Sequence, residues 1–490
     1  MKKVSKVLSI LLSVVLVISS FYLLYQVIRL NVLPSKFLFP LTIGVVVLDA
    51  IFILLLIYFS KNVVSKIICI VLTLFICVAS CMGGYYISKT QNVLSSITNV
   101  AKHAKNTVSV IVKESSSIKN KSQLNGVSVG SLRLNEQGSK KALKELSGEG
   151  IVLNQKEYDS MTALLEAFYN GEVDSIIINE SSRSQILDME TYSNFDSNTR
   201  VVYQTSYKVK NNDSATSVSD ITSKPFNVLI SGSDTRGGFD ENGRSDVIMI
   251  ATVNPKTHTI LLTSVPRDFY VTTACDAGDG CMQGALDKIT HTGIHGTNTT
   301  KRTVEQLLGI EINYTFKVGF DTVTELVDVL GGVDVYVEPG YATTTSEFSV
   351  HEGVNHLNAQ QALAFARERY SYTEGDRQRT KNQQQVLMGI VKEVTKPSVI
   401  TNYAAIMDTM ANTFSTTMSN AEITDLIKYQ LNNNPTWKME QYMVDGTGDT
   451  LMCAELGDAA SVMVPDQSTV KMAKDKINAV LAGKSSEDVK

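Results

Sequence analysis

Two groups of residues in this 490-residue chain have the types and spacing to do chemistry. The first is Asp234, Arg244, Asp246, Arg267 and Asp268. Hard divalent cations take carboxylate oxygens, and the flat guanidinium fork matches phosphate oxygens, so the set suits a cation together with a phosphate-bearing ligand. The second lies in ARERYSYTEGDRQRTKNQQ, from residue 366. There Asp376 is a fair N-cap for the helix that follows it, on which Arg379 and Gln383, four apart, share one face while Arg377 and Lys381 share another. Arg367 and Arg369 are two apart, on the same side of an extended chain but pointing apart on a helix. Read alone, this second group is also a solvated loop in which Glu368, Glu374 and Asp376 offset the arginines. If it closes over the first group, a pyrophosphate is a better ligand than a single phosphate.

The elements that must position the first group are three short β-branched runs, 226–231, 246–253 and 258–264, separated by Gly, Asp, Asn and Pro clusters. Paired up and down, they bring the end of the first, the start of the second and the end of the third to one sheet edge. That edge carries the three aspartates and the two arginines. Downstream, 299–308 reads as a helix, INYTFKV as a strand, DTVTELVDVLGG as a helix with acidic residues first and glycine last, VDVYVE as a strand and 359–366 as a helix. This alternation predicts an α/β domain, a central mixed β-sheet flanked by helices. SVMVP and a helix over 467–481 read as its C-terminal completion. Phe316, Phe320, Leu326 and Leu330 could line an apolar pocket, but their spacing equally fits an ordinary core.

The motifs SDTRGG, GRSDVIMIATVNP, SVPRDFYV, ALDKITHTG, TVEQLLGIEINY, LGGVDVYV, and ARERY with GDRQRTKNQQ follow one another from 226 to 395. In order and spacing the chain resembles the LytR-CpsA-Psr family of cell-envelope proteins. The resemblance implies a Mg2+-dependent phosphotransferase that moves a glycopolymer from an undecaprenyl-pyrophosphate carrier to peptidoglycan. By position it implies Asp234 and Asp246 as metal ligands, Arg244, Arg267, Arg367, Arg369 and Arg379 as the pyrophosphate clamp, Gln383 beside them and Lys288 on the same anion. Arg377 is an additional arginine whose role the pattern leaves open. The chemistry agrees: transfer at a pyrophosphate requires charge neutralisation on both phosphates, which bidentate arginines supply better than lysines. Asp234 is the expected acceptor of the attacking hydroxyl's proton, and Arg267 the catalytic arginine. Alternatives are a non-catalytic polymer-binding, assembly or regulatory membrane protein, and a lipid-pyrophosphate hydrolase using water.

Apolar residues concentrate in the first 88 positions, where 7–28, 37–59 and 67–87 each reach the roughly 20 residues that cross a bilayer. Lys2, Lys3 and Lys6 precede the first span, and Lys61 and Lys66 separate the second from the third, so the N-terminus is expected in the cytoplasm and the chain beyond about residue 89 outside. No small-residue cleavage motif follows the first span, and two more spans do. This three-span architecture looks like that of the family's streptococcal-type capsule members, which favours capsular polysaccharide as the polymer. Asp49, inside the second span, is read as a hydrogen-bonded structural residue. The expected order is a membrane segment over 1–88, a helical or flexible stalk over 89–109, a small α/β accessory domain over 110–205, a polar linker over 206–225 and the catalytic domain over 226–485. The accessory domain shows a β-α-α-β order, with a helix over 158–169, like a fragment of a solute-binding lobe.

The formal net charge of -4 gives no general attraction to nucleic acid, and no DNA-binding module is evident on the cytoplasmic side. The expected partners are therefore the lipid-linked glycan, peptidoglycan and membrane lipid. Cys275 and Cys281 flank AGDG outside the membrane, where a disulfide is favoured over a metal pair. His291 and His295 are four apart, with His351 and His356 further on. THTGIHGTN has two glycines and reads as non-helical, and HExxH is absent, so zinc is not expected.

Overall fold

The computed structural model describes residues 2–59, 62–98, 103–133, 136–233, 241–276, 280–396, 399–410 and 414–489, which form two compact units. The first contains helices α1 (Lys2–Leu30), α2 (Ser35–Leu54) and α3 (Val63–Thr98), with one π-helical turn, Leu55–Phe59, continuing α2. Lys6–Leu30, Ser35–Tyr58 and Val63–Thr98 are each long and apolar enough to cross a membrane. α3 does not stop at 87: its 36 residues run for about 54 Å at ~1.5 Å per residue, well beyond a ~30 Å hydrocarbon core. Val93, Leu94 and Ile97, at helical spacing and buried, extend it through the expected start of the stalk. Asp49 is buried and accepts a hydrogen bond of 2.9 Å from the Ser20 hydroxyl of α1.

Helices Val399–Met410 and Asn420–Asn433 group with these three helices and not with the second unit. Polar ties hold them there. Lys89 pairs with Asp408 at 2.6 Å, Lys36 donates to the Asn432 carbonyl at 2.7 Å and Lys428 to the Asn31 side chain at 2.8 Å.

The second unit holds two sheets. In the accessory sheet, β1 (His103–Lys113), β2 (Ser128–Leu132), β3 (Asn154–Tyr158), β4 (Ser175–Asn179) and β5 (Thr199–Lys210) lie in the order β3-β2-β4-β1-β5. β2 is parallel to β3 and β4, whereas β1 is antiparallel to β4 and β5. The accessory domain therefore extends to both sides of its expected 110–205 limits, and the expected 206–225 linker gives up its first residues to β5. Helix α4 (Glu136–Gly148) follows β2, and helix α5 (Met161–Asn170) begins after Ser160, whose side chain caps it, and ends at Gly171, φ 80°. It starts three residues later than expected because Tyr158 closes the edge strand β3. Its Met161, Leu164, Leu165 and Phe168 are buried with Ile176 and Ile178 of β4. Helix α6 (Arg183–Asp188) follows β4.

The second, central sheet is built on β6 (Phe226–Ser233), β7 (Val247–Asn254) and β8 (Thr259–Val265), an antiparallel meander as expected. The Tyr314–Gly319 strand lies parallel beside β6, and Lys438–Met443 lies parallel beside β8. Phe414–Thr416 forms the outer edge. Leu229, Ile248, Ile250 and Leu261 face Val304 and Leu308 of helix Thr297–Leu308 and Val470, Ala473 and Ile477 of helix Gln467–Leu481. Residues of the opposite face approach helices Ala359–Arg367 and Asp376–Val394. The fold is thus a mixed sheet covered by helices on both faces. A disulfide joins Cys275 and Cys281, whereas Cys453 is buried and free.

Glu440, on the Lys438–Met443 strand, fastens the C-terminal segment: it pairs with Lys438 at 2.8 Å and accepts from Ser485 Oγ at 2.7 Å and the Ser486 amide at 2.8 Å. Burial opposes its charge, but these partners hold its pKa down at about 2, so the stabilisation is complete above an ordinary value near 4.5 and is lost as pH falls towards 2. Glu440→Gln should lower the unfolding free energy by about 2 kcal/mol at pH 7, with the gap to wild type closing below about pH 3 in thermal unfolding scans.

Candidate functional site

The meander brings Asp246, Arg267 and Asp268 of the first charged group to one sheet edge. The Asp246 amide donates to the Gly232 carbonyl at 2.8 Å, so Asp246 stands at the entry to β7 opposite the end of β6. Arg267 and Asp268 follow β8, where the Thr290 amide donates to the Arg267 carbonyl at 3.0 Å. The Arg244 loop is held from below by Ser245, whose hydroxyl lies 2.9 Å from those of Ser231 and Thr300. Gly293 permits that seat: a Cβ there would stand 2.5 Å from the Gly243 carbonyl oxygen and the Ser245 nitrogen.

Asp246 is the hub. One of its oxygens lies 2.8 Å from Arg267 and 3.6 Å from Arg244. Arg267 also faces Asp268, which Lys288 reaches at 3.2 Å. Arg379, on the helix Asp376–Val394, pairs with Asp376 at 2.5 Å and feels both Arg267 and Asp246. The two arginine groups therefore meet. Burial works against the charge of Arg267, but Asp246 and then Asp268 raise its pKa above the ordinary value. Arg379 is pushed the other way, by burial first, with Arg267 and Arg369 adding repulsion that Asp376 and Asp246 only partly offset.

Arg244, Arg267 and Arg379 each leave a buried Nε–H without a hydrogen-bond acceptor among the described residues. Unmet buried donors are costly, and guanidinium donors converging this way are matched by an oxyanion.

The remaining expected residues divide. Gln383, one turn beyond Arg379, lines an apolar cavity of about 80 Å³ between the sheet and the helices. Its walls include Ile230, Met249, Val318, Val323, Leu387 and Ile390, whereas Phe316 instead packs edge-on against Phe414, and Leu326 and Leu330 lie outside the lining. Arg367 is the last residue of its helix and exposed; beyond the extended Glu368, Arg369 lies over the Tyr370 ring at 4.6 Å. Arg377 turns away, bonding Asp445 at 2.7 Å and the Gly446 carbonyl at 2.9 Å. Asp234 lies outside the described residues. His291 bonds Asp287 and His295 bonds Glu455, and the stretch expected to be non-helical forms a 3-10 turn, Ile289–His295. Sequence reasoning missed Asp188 of α6, which pairs with Arg244, because nothing in the polar run around it announces a contact with a distant loop.

Removing the carboxylate that serves Arg267 strands a buried cation, so Asp246→Asn should lower stability by about 3 kcal/mol. Asp188 is more than half exposed, and Asp188→Asn should cost less than about 1 kcal/mol. Chemical unfolding of the two variants side by side checks the ordering.

TagU of Bacillus cereus (strain AH820), named polyisoprenyl-teichoic acid--peptidoglycan teichoic acid transferase, is 33% identical to this chain over 207 residues, 42% of the chain and 65% of TagU. The Bacillus subtilis (strain 168) protein of that name is 35% identical over 196 residues, 40% of the chain and 60% of TagU. The chain thus spans just under two thirds of the length of these relatives. The crystal structure of B. subtilis TagU superimposes on 53% of this chain and 97% of its own, at 28% identity and a TM-score of 0.41. The model of the LytR_cpsA_psr family matches residues 191–479, more than half of the sequence and all of the central sheet, and the chain belongs to that family.

Proposed function

We propose that this protein transfers a glycopolymer from an undecaprenyl-pyrophosphate carrier to peptidoglycan, releasing the carrier monophosphate. The observation that carries the reading is the set of three buried arginines with unmet Nε–H donors, one turn of helix from a residue that lines an apolar cavity. A pyrophosphate on a prenyl chain needs both features side by side. Family membership and the activity named for TagU support it.

In this reading Arg244, Arg267 and Arg379 bind the two phosphates, with Lys288 and Arg369 reaching the same anion from the rim. Arg367 completes the clamp from the end of its helix. Gln383 stands where the prenyl chain enters the apolar cavity. An acceptor sugar hydroxyl attacks the phosphorus that bears the glycan. The bond from that phosphorus to the bridging oxygen breaks, and the carrier monophosphate leaves. The hydroxyl proton passes to a site carboxylate, for which Asp234 is proposed. Arg267 serves as the catalytic arginine, because its neighbours keep it fully charged while negative charge builds on the phosphate oxygens.

Among the described residues no three carboxylates, histidines or cysteines gather into a metal cage. Mg2+ is commonly held by one or two carboxylates completed by substrate phosphates, so the donor set fits: Asp246, with Asp234, would hold it. When bound, the ion would neutralise charge on the phosphate oxygens. Three helices long and apolar enough to cross a membrane support a place in the cell membrane, and the distribution of lysines supports an extracellular site facing the wall. Capsular polysaccharide is the proposed polymer, on the strength of that three-span plan.

Purified full chain supplied with lipid-linked glycan, Mg2+ and peptidoglycan should place polymer in the peptidoglycan fraction. Arg267→Ala and Arg379→Ala should each lower the transfer rate by about 10²–10³-fold. Arg377→Ala should stay within about threefold, because Asp445 and Gly446 occupy that side chain. Free polymer in place of attached polymer would replace transfer with hydrolysis, and neither product would leave an assembly role.

A further inference from the structure

A second cavity, of about 330 Å³, meets the same arginines from another side. Arg244, Arg267 and Lys288 line one wall, and the accessory domain supplies the facing wall through Gln185 and Asp188 of α6 and Tyr192 just beyond it. Gln185 is only 3% exposed, yet both its amide nitrogen and its amide oxygen lack hydrogen-bond partners among the described residues. The Thr290 hydroxyl, also buried and on the lining, is in the same condition. Buried polar groups are normally satisfied, so donors and acceptors left open around a cavity point to a polar ligand that brings its own.

We propose that this cavity is a carbohydrate subsite, in which the accessory domain, through Gln185 and Asp188, selects the sugar next to the phosphate held by the arginines. The inference rests on the anion site of the proposed function. Arg244 and Arg267 line the polar cavity, whereas the apolar one, suited to a prenyl chain, is reached through Gln383, one turn from Arg379, so the polar one remains for what the other phosphate carries. An amide presents one donor edge and one acceptor, the pair that adjacent hydroxyls of a pyranose match. The volume is at the low end of the ~300–1,000 Å³ usual for small-molecule sites, which fits one or two sugar rings and not a polymer. Gln185 and Asp188 precede residue 191, where the family match begins, so these two residues lie outside the matched region. The same ring chemistry has two sources, the first sugar of the donor or the glycan of the acceptor wall.

The test uses full-length protein in nanodiscs and three probes: a polyprenyl pyrophosphate, the same lipid bearing one N-acetylhexosamine, and a soluble peptidoglycan disaccharide-peptide added after the sugar-free lipid. Wild type should bind at least one sugar-bearing probe with a sugar-dependent gain of about tenfold. Gln185→Met, close in shape but without the amide, should erase that gain and leave binding of the sugar-free lipid unchanged, which also reports an intact fold. Asp188→Ala, which also frees Arg244 of a partner, is read as the ratio of sugar-bearing to sugar-free binding, and that ratio should fall more weakly than in Gln185→Met. A loss confined to the glycosylated lipid identifies the donor sugar as the occupant, and a loss confined to the disaccharide-peptide identifies the acceptor. If neither variant changes any sugar-dependent gain, or if all three probes weaken equally, the subsite is overturned while the anion site stands. Failure of wild type to bind the sugar-free lipid would overturn the anion site and the subsite with it.

Discussion

The charge balance around Asp246 is the constraint on which the site depends. One carboxylate oxygen serves Arg267 directly and Arg244 at longer range, in a place where all three side chains are largely shielded from water. An ion pair in such surroundings gains little net stability, because desolvation offsets most of the attraction, yet breaking it is expensive. What the arrangement secures is position. Asp246 holds two guanidiniums at the mouth of the sheet, and their remaining N–H groups stay available for an anion.

Everything around this pair serves that placement. The antiparallel meander puts Asp246 and Arg267 at the same edge because β7 starts where β8 ends. The Arg244 loop rests on Ser231, Ser245 and Thr300. The helix Asp376–Val394 then delivers Arg379 to the cluster and, one turn later, Gln383 to the apolar cavity, so a single element links the arginines to that cavity. The disfavoured charge on Arg379 makes sense in this setting: an incoming phosphate would relieve the repulsion from Arg267 that lowers its pKa.

Much of this was legible in the sequence, for physical reasons that differ by element. The meander strands were readable because β-branched runs of strand length are bounded by turn residues, and the charged edge followed from up-and-down pairing alone. β1 was hidden because its buried run, 106–112, itself contains Asn106, Thr107 and Ser109 and is flanked by Lys105 and Lys113, so it resembles a stalk. β3 was hidden because an exposed edge strand, NQKEY, needs no apolar alternation. Helices Val399–Met410 and Asn420–Asn433 look like ordinary domain helices, and only their ties to Lys89, Lys36 and Asn31 reveal where they belong. Arg377 and Arg379 are equivalent as residue types. Asp445, 68 positions away, separates them by taking Arg377. The walls of the apolar cavity were not readable either, since Val318 and Val323 have the same spacing as the core residues beside them.

The most direct measurement is a crystal structure of the protein soaked with a polyprenyl pyrophosphate. The account predicts phosphate oxygens within about 3 Å of Arg267 and Arg379, with the prenyl chain leaving past Gln383 into the apolar cavity. Phosphate density bound elsewhere, with those arginines still facing only Asp246 and Asp376, would contradict it.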